Sequence, residues 1–477
     1  MNLKDFWTRL SHLKQHWIIN VCIGVVIELL LHGAHLLQMP GLESAQNIAL
    51  DAMMRGSAAT VQQDDGKTVP PLAFIDVDSR TWRDAGWGGG EPDRAPRVPL
   101  FKLIDFAFQR GASQVVLDIV VEGRKDDGAD QGFADSLAGL GALKDAKVPR
   151  KLILVRTIRQ PLAAGDGTGD GVPELRASAL DPLIGSSGGR IGIAAPYFKQ
   201  SADRILRDWH LWSLACRQGG DGKSAWVLVP SVQLLVAANQ LKWPMADAPW
   251  EKAPTIPCEA SSAGEGKPEA LERAATAWLA RVSGREIEGA EHGAPEGGIS
   301  NRIVFRIGDP PGTADTPARA TQVISALDIL QGQETRRDLS NSIVVIGQSY
   351  PEAGDRHATP LGDMAGSLVI VNSIDSMLRH GLLQEPSPAR KLAVAFALIV
   401  LVGFIFARWD SRKGNIIALT IVLVGMTLAS YHYFKFGVWL DFAVPLIGIQ
   451  LHRMVKRHEE DLEHQRLAKL YAGTEHH

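Results

Sequence analysis

The sequence predicts an α/β extracytoplasmic domain, mainly a parallel or mixed sheet with flanking helices, plus an all-α membrane region of four transmembrane helices. Three observations carry this expectation. Short Val- and Ile-rich runs alternate with helical spacing through the middle of the 477-residue chain, as in a sheet with helices packed on it. Long apolar runs gather at both ends. Basic residues flank those runs unevenly, which sets their orientation.

The membrane elements come first in the chain. After a cytoplasmic N-terminus (1–16), residues 17–38 read WIINVCIGVVIELLLHGAHLLQ, long enough to cross a hydrocarbon core of roughly 30 Å as a helix. No small-residue cleavage site follows, so a retained anchor is expected rather than a signal peptide. Further spans are expected at 391–408, 415–434 and 437–452, the last short and interrupted by Pro445. Lys4, Arg9 and Lys14, then Arg412 and Lys413, then Arg453, Lys456 and Arg457 fall on one side. The positive-inside bias makes that side cytoplasmic, against the smaller opposing weight of Arg390, Lys391 and Lys435. Residues 39–389 are then extracytoplasmic, residues 453–477 form a cytoplasmic tail, and the chain sits as a multi-pass protein in a bacterial inner membrane.

Within the exported block, strands are expected at 71–78, 113–121, 151–158, 190–196, 225–230, 301–308 and 342–347. PLFKLIDFAFQRG (99–111) has helical spacing closed by Gly111, and a helix from Val369 to His380 ends the block. Residues 259–300 read as an insertion around one amphipathic helix, PEALERAATAWLARV. GDGTGDG (165–171) lacks the regular ligands and closing Glu of an EF-hand loop and reads as linker. GWGGG (86–90) does not open a helix in the dinucleotide-binding pattern.

Net charge is −3. With no basic face standing out to neutralise phosphates, the sequence argues against nucleic acid as a partner. Cys22 lies in the first span, whereas Cys216 and Cys258 fall in the exported part, where they are either bridged or two buried thiols.

The candidate site centres on GDRHATP (354–360). Asp76 and Asp78 end one expected strand, Asp118 ends a second, and Gln348 and Ser349 follow a third. Ligands in parallel α/β sheets settle outside the carboxyl ends of the strands. These residues, with Asp355, Arg356, His357 and Thr359, therefore form either a pocket for a small polar or cationic ligand or a self-satisfied ion-paired network. No nucleophile, base and orienting acid fall into a nameable pattern, and a single His is a thin metal site. No catalytic residue, metal or cofactor is expected; a hydrolase using Asp118 and His357 is the weakest alternative. In the first span, Glu28, His32 and His35 share a helix face, either as a local hydrogen bond or as a coupling point to the later spans.

FIDVDSRTWRDAGWGGGEPDRAPRVPLFKLIDFAFQRGASQVVLDIVV resembles the opening of the CHASE type 2 extracellular sensor domain. The similarity returns at NRIVFRIGDPPGT (301–313) and is densest over 342–383, and LESAQNIALDAMMR with the closing spans fits the same layout. The resemblance implies a sensor outside and an output module inside, often a cyclase or kinase. Here only about 25 residues follow Arg453, fewer than the roughly 40 an independent core needs. The chain is thus expected not to be an enzyme. Leu451, Val455, Leu462, Leu467 and Leu470 line one side of the tail, which reads as a docking helix or a solvated end. The expected function is a membrane-anchored sensory subunit, responding to an unknown small-molecule or protein stimulus. It would signal through or assemble with a separately encoded partner, as a homo-oligomer or hetero-complex. The alternative is a structural scaffold whose α/β domain binds no small molecule.

Overall fold

The computed structural model describes residues 3–36, 40–59, 69–85, 87, 95–121, 128–141, 150–159, 172–218, 223–251, 256–258, 269–283, 301–308, 321–383, 387–434, 438 and 443–474. They divide into two units, Met54–Leu382 and Met1–Met53 with Leu383–His477.

The first unit is built on six parallel strands: β1 (Leu72–Val77), β2 (Gln114–Leu117), β3 (Lys151–Val155), β4 (Ile191–Ala194), β5 (Thr321–Ser325) and β6 (Ile343–Gln348). Their order is β5-β1-β6-β2-β3-β4. The chain skips one place between β1 and β2, runs outward to β4, returns to the far edge at β5, and fills the gap with β6. Strands β1, β2, β3 and β6 are buried almost end to end, which is why they read as continuous apolar runs rather than alternating ones. Side chains on one face (Ile75, Val115, Leu117, Leu154, Ile346) join a core with Leu100, Leu103, Ile104 and Phe108 of the helix Arg97–Gln109. Gly111, at φ +99°, stops that helix, and a Cβ there would approach the Ser340 backbone to 3.0 Å. On the opposite face the helices Val232–Gln240 and Gly366–His380 pack on each other, and Gln114 reaches the Val236 carbonyl at 3.2 Å. The result is a three-layer α/β/α domain.

Two expected strands sit elsewhere. Residues 301–308 do not join the sheet; its edge is taken by β5, whose TQVIS has too few apolar residues to announce itself. The 301–308 run is buried, but its backbone is served by side chains of the helix Gly366–His380. Asn372 Oδ1 accepts from the Arg306 and Ile307 amides, both at 2.9 Å, its Nδ2 donates to the Ile307 carbonyl at 2.9 Å, and Ser376 Oγ accepts from Val304 N at 3.0 Å. Buried backbone needs a partner, and these side chains replace a ladder. The 225–230 run belongs to a second sheet ordered 224–230, 212–218, 174–175 and 158–159, and a disulfide joins Cys216 to Cys258. The expected insertion helix is present as Glu269–Ser283. GDGTGDG and most of GWGGG lie outside the described residues.

In the second unit the helices Ala389–Arg408 and Ser411–Tyr433 are long and apolar enough to cross a membrane, and Gln15–Leu31 is a shorter apolar helix. Close packing is set by glycines: a Cβ on Gly24 would meet Ile399 at 2.9 Å, and one on Gly403 would meet Val21 at 2.8 Å. Asn20 and His452, both almost fully buried, hydrogen-bond at 3.0 Å, with the His452 ring stacked on Phe406. Glu28 is partly buried, and the side chains of His32 and His35 lie outside the described residues. The last helix, Ala443–Thr474, is continuous and exposes Val455, Leu462 and Leu467; the Leu470 side chain is not among those described.

Candidate functional site at the carboxyl ends of the strands

Because β6 lies between β1 and β2, the residues that follow these three strands gather at one end of the sheet. Asp76 pairs in register with Gly347, and its carboxylate accepts from Ser349 Oγ at 2.8 Å. Ser349 N in turn donates to the Val77 carbonyl at 3.2 Å. Gln348 turns away: its Oε1 accepts from the Tyr350 hydroxyl at 3.1 Å, and that ring stacks on Trp82.

Asp118, one residue beyond β2, accepts from Ser367 Oγ at 2.5 Å. Ser367 also accepts the Gln348 amide at 3.1 Å, so one hydroxyl ties β6, β2 and the start of the helix Gly366–His380 together. Only glycine at 347 permits this, since a Cβ there would lie 2.1 Å from Ser367 Oγ and 3.5 Å from Asp118 Cβ. Burial pushes the Asp118 carboxyl up to about 7; the Ser367 bond opposes this, the Asp355 charge adds to it and His357 opposes it. A neutral carboxylic acid and a carboxylate are therefore both accessible here near neutrality.

Asp355 packs on Gly366, where a Cβ would lie 2.1 Å from its Oδ2, and its backbone carbonyl accepts the Gly366 amide at 2.9 Å. Its Oδ1 meets His357 Nε2 at 2.8 Å. That bond raises the His357 pKa; burial opposes it, and the charges of Asp355, Asp363 and Asp118 reinforce it. The structure thus joins Asp76–Ser349, Asp118–Ser367 and Asp355–His357 at one end of the sheet.

Besides Gln348, three expected site residues do other work. Asp78 caps the helix Ser79–Asp84, accepting from Thr81 N and Thr81 Oγ1 at 2.7 Å each and from Ser325 Oγ at 3.0 Å. Burial would raise its carboxyl, but these bonds and the Arg80 charge hold it below the ordinary value. Arg356 pairs with Asp363 at 2.6 Å across the hairpin Arg356–Thr359/Gly362–Ala365. Thr359, buried, closes that hairpin by donating to the Gly362 carbonyl at 2.7 Å, and Arg55 holds its tip through the Pro360 carbonyl at 2.8 Å.

Sequence reasoning missed Ser367, Gly347 and Gly366. Their only signal is a small-residue pair, Gly366-Ser367, at the start of an apolar helix next to an invitation to close approach in β6. Among the described residues no group of His, Cys, Asp and Glu is placed to hold a metal ion. The cluster is chemically an acid–acceptor network, in which Ser367 and Ser349 donate to carboxylates and His357 pairs with Asp355.

A family model described as the CHASE2 domain matches residues 23–406. No curated protein and no solved structure matches the chain.

Proposed function

Because the chain belongs to the CHASE2 family of extracellular sensor domains, we propose that it is a membrane-anchored sensory subunit that passes a conformational or assembly change to a separately encoded partner. The family match over residues 23–406 is the observation that carries this proposal. It spans the whole α/β domain together with parts of the apolar helices Gln15–Leu31 and Ala389–Arg408.

Four helices would tether the domain, with Gln15–Leu31 and the start of Ala443–Thr474 joining the two longer spans. Basic residues near the chain ends favour an orientation with the domain outside, in what would be a bacterial inner membrane. The Cys216–Cys258 bridge supports the same side, since disulfides persist in oxidising compartments. With its cysteines 42 positions apart, it stabilises the fold by about 4 kcal/mol on a loop-closure model, available only where it is oxidised. Signal would leave through the tail helix, whose exposed Val455, Leu462 and Leu467 suit a partner helix. Within the domain, the Arg55–Pro360 bond ties the hairpin to the helix that precedes β1.

Purification of the whole protein from its native membrane tests this. A distinct protein should co-purify and be lost from a Leu462→Glu variant; a chain that purifies alone, unchanged by that substitution, contradicts it. The bonded state of the carboxyl-end network favours a second possibility, a rigid scaffold. A solute that saturably raises the melting temperature would separate the two, because stabilisation by a ligand grows with its concentration.

A further inference from the structure

The opposite end of the sheet holds a cleft of about 280 Å³. It lies where β3 and β4 begin, beneath the helix Val232–Gln240 and the short turns Met245–Asp247 and Pro249–Glu251. Its volume falls near the lower bound of ligand sites, roughly 300–1,000 Å³, which limits an occupant to a small metabolite.

The lining has three parts. Ile153, Leu235 and Met245 form an apolar floor. Gly188 and Gly189, both in the left-handed region at φ +61° and +76°, form a bare rim. Lys151 and Glu251 face the same space with opposite charge. The Lys151 ammonium donates to the Gly189 carbonyl rather than to Glu251. Burial lowers the lysine's pKa, the Glu251 charge raises it and Arg190 lowers it further. An ammonium has three donors, and among the described residues the Gly189 carbonyl takes one of them.

We propose that this cleft binds a small zwitterion with an aliphatic body, an α-amino acid in chemical class, its carboxylate on Lys151, its ammonium on Glu251 and its side chain on the apolar floor. Two unlike charges held apart over an apolar surface match such a ligand at both ends, whereas a simple amine or acid satisfies only one of them. The inference goes beyond the sensory proposal and stands without the partner.

Thermal unfolding of the full chain in nanodiscs, titrated with L-leucine and L-methionine, provides the test. Either amino acid should raise the melting temperature saturably; isoamylamine and 4-methylpentanoate, each keeping one charge, should need at least about tenfold more, since charge-assisted bonds are the strong ones. Lys151→Met should abolish the response and Ala246→Trp, at the rim, should block it, while Asp118→Asn leaves it intact. No shift with any aliphatic L-amino acid, or a full response in Lys151→Met, would overturn the proposal. Co-purification of a partner is read separately, so the failure of one does not entail the failure of the other.

Discussion

The two ends of the six-stranded sheet present opposite solutions to the placement of charge. At the carboxyl ends, Asp76, Asp78, Asp118 and Asp355 each accept a hydrogen bond from within the domain. At the amino ends, Lys151 and Glu251 face one cleft without closing on each other. The difference teaches that ionisable residues gathered at strand ends can be satisfied by one another, while a sparser pair is left apart. The carboxyl-end crevice, where parallel sheets ordinarily bind ligands, is filled by Ser367 and Asp355, while the sparse amino end is left open.

That contrast yields graded expectations. The largest effect should come from Gly347→Ala, which forces a methyl into Ser367 and Asp118. Overpacking of a buried strand costs about 1–3 kcal/mol, and the lost Ser367 bonds add to it, so the urea midpoint should fall clearly; an unchanged midpoint would mean the carboxyl end is loose.

Next is the response to pH. Asp118 has a folded value of about 7 against 3.8 unfolded, so between these the folded state holds a proton that the unfolded state releases, and stability falls as pH rises. His357, raised in the fold, contributes stability that is present below its ordinary value of 6.5 and is lost as pH rises through its folded value. Both act in the same direction. The melting temperature should decline from pH 5 to pH 8, and Asp118→Asn should flatten the decline; a rise with pH would break the account of this network.

Smaller still is Asp78→Ala, which removes a helix cap worth about 1 kcal/mol, readable as a modest loss of melting temperature. Smallest is the amino end: Glu251→Gln, at an exposed residue, should stay within about 0.5 kcal/mol without ligand. An amino-end substitution as costly as Gly347→Ala would erase the comparison.

Much of the fold was legible because burial on both faces writes β1, β2, β3 and β6 as apolar runs, and because Gly111 ends a clearly periodic helix. The rest was hidden for physical reasons. Residues 301–308 have a strand's composition, but Asn372 and Ser376, distant in sequence, supply their hydrogen bonds. Strand β5 has too few apolar residues at a sheet edge to show itself. In the site, the convergence of Asp76, Asp118 and Ser349 follows from strand ends and could be read directly. The cap at Asp78 and the turn at Thr359 depend on partners three residues away, and their local roles outweighed the ligand expectation. Ser367 gave no signal, since its importance comes from the missing side chain at Gly347. The cleft was invisible, because Lys151 and Glu251 are brought together only by the sheet order and the turns after the helix Val232–Gln240.

The central claim is that this domain faces outward, and a cysteine at Val98, 69% exposed on the α/β domain, tests it most directly. In a Cys22→Ser background, Val98→Cys should react with a membrane-impermeant maleimide on intact spheroplasts. Labelling only after the membrane is broken would contradict it.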